Sequence, residues 1–184
     1  MPAGSTLVSS PASCAGTSAG AADTSVCATE RLHLPNVAYE FTLTRQVEFS
    51  DTDMAGIVHF TAFLRYMEAA EHAFFRSLGF SIHTTHPEHV GWPRVHVDCD
   101  FRYPLRFEDM VEIHLLVREK REKTLAYTFV FRKLNEDQPR EVARGSLVVA
   151  CVKRDPETGK LRAAPIPQLI AARIDAAPAE LLST

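Results

Sequence analysis

Two carboxylates one residue apart, Asp51 and Asp53, stand just before a glycine and a long apolar-periodic run, in the segment VEFSDTDMAGIVHFTAFLRYMEAAEHAFFRSLG over 47–79. A chain that leaves a strand through such a pair, turns at Gly56 and enters a helix presents acids beside the helix's first turn. Backbone N–H groups there lack intrahelical partners, and the dipole end is positive. An electrophile held by those donors can be attacked by a carboxylate or by water that a carboxylate activates. Aspartate at a strand end also makes turns by binding nearby backbone N–H groups, so the pair has a plain reading as well as a chemical one.

The elements that would position this pair are legible in the flanks. Tyr39, Phe41, Leu43, Arg45, Val47 and Phe49 share one parity and predict a partly buried first strand over 39–49. Phe63, Met67, Ala70, Phe74 and Leu78 recur at helical spacing, with Tyr66, Ala73 and Ser77 beside them, and predict an amphipathic helix over 60–78. Arg65, Glu68, His72 and Arg76 mark its wet face, and Gly79 supplies the stop. Strand-like runs follow over 95–102, 110–118, 124–134 and 141–152, separated by polar turns at Glu122-Lys123 and around Pro139. One long helix against about five antiparallel strands is an α+β layer architecture. A short helix is expected after Pro165.

Composition bounds the rest. The chain of 184 residues, 46% hydrophobic, suffices for one sizeable core. Residues 1–36, rich in Ala, Ser, Gly and Thr without apolar period, are expected to be a disordered tail, with one domain over 37–176 and a C-terminal tail over 177–184. A formal charge of −3 offers no overall basic field for nucleic acid. No apolar run approaches the roughly 18 residues that span a bilayer. The N-terminus has neither a basic nor a continuous apolar signal region, so a cytoplasmic protein is expected. Cys14, Cys27, Cys99 and Cys151 form no tight ligand spacing, and His83, His86 and His89 sit in a Pro-containing loop without a convincing fourth ligand; no metal and no cofactor are expected. His96, Asp98 and Asp100 share a parity that suits an exposed face or subunit contact. There is no GxSxG elbow and no serine with a base partner.

The run Asp-x-Asp-x-x-Gly-Ile-Val before a helix rich in Tyr, Phe, Arg and Glu resembles the signature of 4-hydroxybenzoyl-CoA thioesterase and its short-chain acyl-CoA relatives. The likeness extends more loosely over 39–170, through Gly91-Trp92-Pro93-Arg94-Val95, Tyr103-Pro104 and Glu108-Asp109. The resemblance implies a hotdog fold, a long antiparallel sheet wrapped around a central helix, working as a homodimer or homotetramer on an acyl-CoA substrate. It implies Asp53 as catalytic nucleophile or general base and the backbone N–H near Phe60 as oxyanion donor, and it leaves Asp51 as a turn-maker. His59 is a secondary catalytic candidate, and Glu68 is an alternative base that its wet-face position disfavours. Gly56 and the turn residues Arg121, Lys123 and Thr124 are the expected substrate and CoA contacts. His59, Phe60 and Ala62 depart from the residues common in relatives, and Pro104 stands where the benchmark enzyme carries a hydroxyl. Three readings follow: an acyl-CoA thioesterase, a thioesterase for acyl carrier protein or an aromatic CoA ester of quinone synthesis, and a binding module that has lost turnover.

Overall fold

The computed structural model describes residues 37–83 and 89–183; the expected N-terminal tail, Cys14, Cys27 and His86 lie outside the described residues. Chain order gives β1 (Glu40–Gln46), a single 3-10 turn (Phe49–Asp51), α1 (Phe60–Ser77), β2 (Arg94–Phe101), β3 (Met110–Lys120), β4 (Thr124–Lys133) and β5 (Arg140–Ala150). After these come β6 (Val152–Arg154), β7 (Leu161–Ala163), α2 (Gln168–Ala171) and α3 (Ala179–Leu182). The five long strands form one antiparallel sheet in the order β1-β3-β4-β5-β2, with β1 and β2 at its edges.

Alternation decides which face of the sheet is dry. In β3 and β4, Val111, Ile113, Leu115, Tyr127, Phe129 and Phe131 point to one side and are buried there. Against them lies α1, whose Phe63, Tyr66, Met67, Ala70 and Phe74 are buried. Close approach of helix and sheet requires Gly145 at mid-β5: a Cβ there would lie 2.9 Å from the Asp98 carbonyl and would invade the Met67 thioether. The helix ends where Gly79 takes φ +82, a conformation that a Cβ disfavours.

The single run expected over 141–152 breaks at Cys151, whose N–H donates to the Lys123 carbonyl at 2.8 Å and whose carbonyl accepts from the Ala164 N–H at 2.9 Å. β6 and β7 then form their own small hairpin, which the sequence reading did not contain. The C-terminal segment is tied to the sheet: Lys120 Nζ donates to the carbonyls of Ala171 (3.2 Å) and Ile174 (2.6 Å), and the Ala177 N–H donates to Val117 (2.8 Å). Among the described residues no helix is long and apolar enough to cross a membrane.

Candidate active site

The loop between β1 and α1 is fixed from within by Asp51. Its carboxylate is buried and accepts from the Tyr66 hydroxyl (2.8 Å), Arg65 (3.0 Å), the Glu48 N–H (3.1 Å) and Arg45 (3.5 Å). Burial alone would raise this carboxyl, but the bonds from Tyr66, Arg65 and Glu48 and the Arg45 charge together hold it below the ordinary carboxylate range. The Arg45 guanidinium also lies 4.4 Å over the Tyr66 ring, closing the cluster. Meanwhile the Asp51 carbonyl accepts the His59 N–H at 2.8 Å. One residue therefore ties both ends of the 51–59 loop to the helix.

Within that frame, a bridge between Thr52 and Val58 closes a tight turn. The Asp53 N–H donates to Ile57 and the Gly56 N–H returns to the Asp53 carbonyl, both at 2.9 Å. Gly56 sits at φ +71, so its part in the site is to make this turn without strain. The Asp53 side chain is exposed; Oδ1 accepts from the Ala55 N–H at 2.8 Å, which restrains the carboxylate, while Oδ2 has no partner among the described residues. α1 begins at Phe60, whose N–H likewise finds no acceptor among the described residues. His59 is the N-cap: Nδ1 meets the Thr61 hydroxyl at 2.8 Å and accepts from its N–H at 3.4 Å.

Asp53 and Phe60 open onto one pocket of about 470 Å³ walled by Phe63, Phe101, Tyr103 and Leu105, with Arg102 as its second charged residue. The walls are mainly aromatic edges: Phe63 packs edge-on against Phe101 at 5.1 Å and against Phe131 at 5.2 Å. His59 is not among the residues lining this pocket. An unpartnered N–H at a helix start, a restrained carboxylate and an apolar wall can bind a flat acyl group and polarise its carbonyl.

The remaining candidates lie elsewhere. Arg121, Lys123 and Thr124 stand at the β3–β4 turn, where Arg121 pairs with Glu119 at 2.7 Å. From Phe131, beside the pocket, to Thr124 is seven residues of β4, or roughly 23 Å at about 3.3 Å each. Within one chain the turn and Asp53 belong to opposite ends of the sheet. Glu68 is half-exposed and engaged by Arg94 at 3.1 Å, outside the pocket. His96 bonds Asp98 at 2.8 Å and Ser146 donates to the same carboxylate oxygen, so the acid separates the hydroxyl from the imidazole. Burial, with Asp100 and Asp98 nearby, pushes the Cys99 thiol up to about 12, which denies it a nucleophile's role. No group of three or more His, Cys, Asp or Glu among the described residues could hold a metal. The sequence reading missed Arg102 and the positioning role of Asp51; two of the four partners of Asp51, Arg65 and Tyr66, are fourteen and fifteen residues away on α1 and carry no local signal.

Comparisons with known proteins bear on the fold and the family. The model of the thioesterase-like superfamily matches residues 47–174. A 1,4-dihydroxy-2-naphthoyl-CoA hydrolase of Crocosphaera subtropica is 33% identical over 99 residues, covering 53% of this chain and 72% of that one. The solved structure of a gentisyl-coenzyme A thioesterase superposes with a TM-score of 0.61 at 31% identity, over 71% of this chain and 99% of its own. That of 4-hydroxybenzoyl CoA thioesterase from Pseudomonas sp. strain CBS-3 does so at 0.66 and 24% identity, over 73% and 99%, a likeness of fold.

Proposed function

We propose that this chain, which belongs to the thioesterase-like superfamily and is a thioester hydrolase of the hotdog fold, cleaves an aromatic acyl-CoA to the free acid and CoA, with Asp53 as the reacting carboxylate. The observation that carries this is the meeting of the Asp53 carboxylate and the start of α1 in one aromatic-walled pocket. The acyl ring packs against Phe63, Phe101 and Tyr103, and its carbonyl oxygen accepts from the Phe60 N–H. As the carbonyl carbon becomes tetrahedral, negative charge gathers on that oxygen, where the N–H and the helix dipole stabilise it. Asp53 acts on the carbon directly, giving a mixed anhydride that water cleaves, or takes a proton from the attacking water; both routes release the CoA thiol. The relatives' names favour the aromatic class, since the hydrolase and the gentisyl enzyme are each named for a hydroxylated aromatic acyl-CoA.

The CoA handle comes from a second copy of the chain. Arg121, Lys123 and Thr124 stand at the far end of the sheet from Asp53 of their own subunit, and β2 leaves an edge on which Val95, Val97 and Phe101 are exposed. Pairing two sheets through that edge covers those side chains and completes each site from both chains.

Thiol release from a panel of aliphatic and aromatic acyl-CoAs tests the reading. Wild type turns over aromatic esters best, and Asp53→Asn loses about a hundredfold or more, the scale of a lost acid–base group. Binding of CoA esters without any thiol release by the wild type would instead make the chain an acyl-thioester binding module.

A further inference from the structure

Among the described residues Arg102 is the positively charged one that lines the acyl pocket, with Asp53 the negatively charged one. The residue follows the end of β2; its N–H and that of Tyr103 both donate to the Val142 carbonyl, at 2.8 and 3.1 Å, which fixes the backbone where strand becomes turn. The residue lines both this pocket and a second cleft of about 700 Å³, bounded by Tyr103, Glu136, Asp137, Arg140 and Glu141. One guanidinium nitrogen rests on Glu141 at 2.7 Å. Glu141 is also gripped by two nitrogens of Arg144, at 3.1 and 2.9 Å. Two guanidiniums thus share one carboxylate, and a positive charge with free N–H donors is left over at the pocket wall. In the cleft beyond, Arg140 pairs with Glu136 at 3.0 Å and lies 5.1 Å over the Tyr103 ring, and Asp137 is exposed.

We propose that Arg102 determines acyl specificity: it selects aromatic acyl groups that carry an oxygen acceptor, a ring hydroxyl or carboxylate, at the end remote from the thioester. This rests on the reading of the Asp53 pocket as the acyl site. Glu141 holds the guanidinium in place without neutralising it, and Tyr103 supplies the flat wall along which the ring slides toward it. A guanidinium at the pocket wall favours a ring that brings it an acceptor; the Arg102 side chain is about half exposed, so a ring without one leaves the donor to water and the preference is that of one charge-assisted hydrogen bond.

The same guanidinium chemistry would also suit a CoA phosphate, and the experiment separates the two. Steady-state kinetics are measured for benzoyl, 4-hydroxybenzoyl and 4-carboxybenzoyl thioesters, each as the CoA ester and as the N-acetylcysteamine ester, which has no phosphate. In Arg102→Gln the ratio of kcat/KM for the substituted over the plain ring falls by about tenfold to a hundredfold in both series, the size of a hydrogen bond to a charged group, mainly through KM. Arg102→Lys recovers part of the ratio, and unchanged melting curves for both variants exclude misfolding. A ratio that does not move overturns the proposal. So does a loss that is equal for all three rings and vanishes in the N-acetylcysteamine series, which would assign Arg102 to a phosphate. Absence of turnover by the wild type on every ester overturns the acyl-site reading and this proposal with it.

Discussion

Phe60 offers a substitution that separates backbone from side chain. It is the first residue of α1, and the residue before it, His59, has φ −63 and ψ 138, an extended conformation that proline tolerates in its predecessor. Proline is at home at a first helical position, where the N–H has no intrahelical acceptor to lose. Phe60→Pro therefore deletes the proposed oxyanion donor and keeps the helix; kcat is expected to fall by about a hundredfold to a thousandfold while the melting temperature holds. Phe60→Ala removes the same ring and keeps the N–H, so its loss in kcat is much smaller. Equal losses in the two variants would move the function from the N–H to the ring. Asp51 shows how far such single residues can be read from sequence. A turn-making aspartate is a local pattern, and that much was legible. Its four donors come from β1, the loop and α1, a convergence that exists only after folding.

At the level of elements, α1 carries an acid on the wrong side of its own pattern. Glu71 is buried, and Arg94 reaches it at 2.7 Å. Burial raises its carboxyl from 4.5 to about 7 against the pull of Arg94, with Glu68 adding to the rise. Glu71 Oε1, Trp92 Nε1 and Tyr127 OH are all buried without partners among the described residues. Between about 4.5 and 7 the folded protein keeps this proton and the unfolded chain does not. Its contribution to stability is thus full below that window and is lost as pH rises through it. Denaturant midpoints taken from pH 5 to 8 should show wild type losing stability relative to Glu71→Gln across the window and running parallel above it. His72, whose pKa burial lowers, titrates in both proteins and drops out of the difference. The five long strands and the helix were readable to within about three residues, the largest miss being the end of β1 at Gln46 rather than Phe49, because each sustains its period over several turns or alternations. β6 and β7, three residues each, sustain none. The burial of Glu71 was hidden for the opposite reason: helical period assigns faces by polarity, and only the arrival of Arg94 from β2 makes an acid tenable in the interior.

Across the whole molecule, the separation of Asp53 from the β3–β4 turn is what the proposal of a two-chain site rests on. The loop and the turn were each accessible to sequence reading. Their distance apart was not, because it follows from the antiparallel register that sends β4 away from the pocket toward Thr124. If a partner supplies the CoA handle, an Asp53→Asn chain retains a working handle and an Arg121→Ala, Lys123→Ala chain retains a working carboxylate. Each variant alone is weak at low CoA-ester concentration, the first through kcat and the second through KM. Mixed and allowed to exchange subunits, half of the dimers become heterodimers, and each heterodimer holds one site built wholly from intact parts. For a two-fold symmetric pair, activity then recovers to about a quarter of the wild-type value. Activity of the mixture equal to the average of its parts would put the handle and the carboxylate on the same chain, and would require the CoA to run the length of the sheet rather than cross to a neighbour.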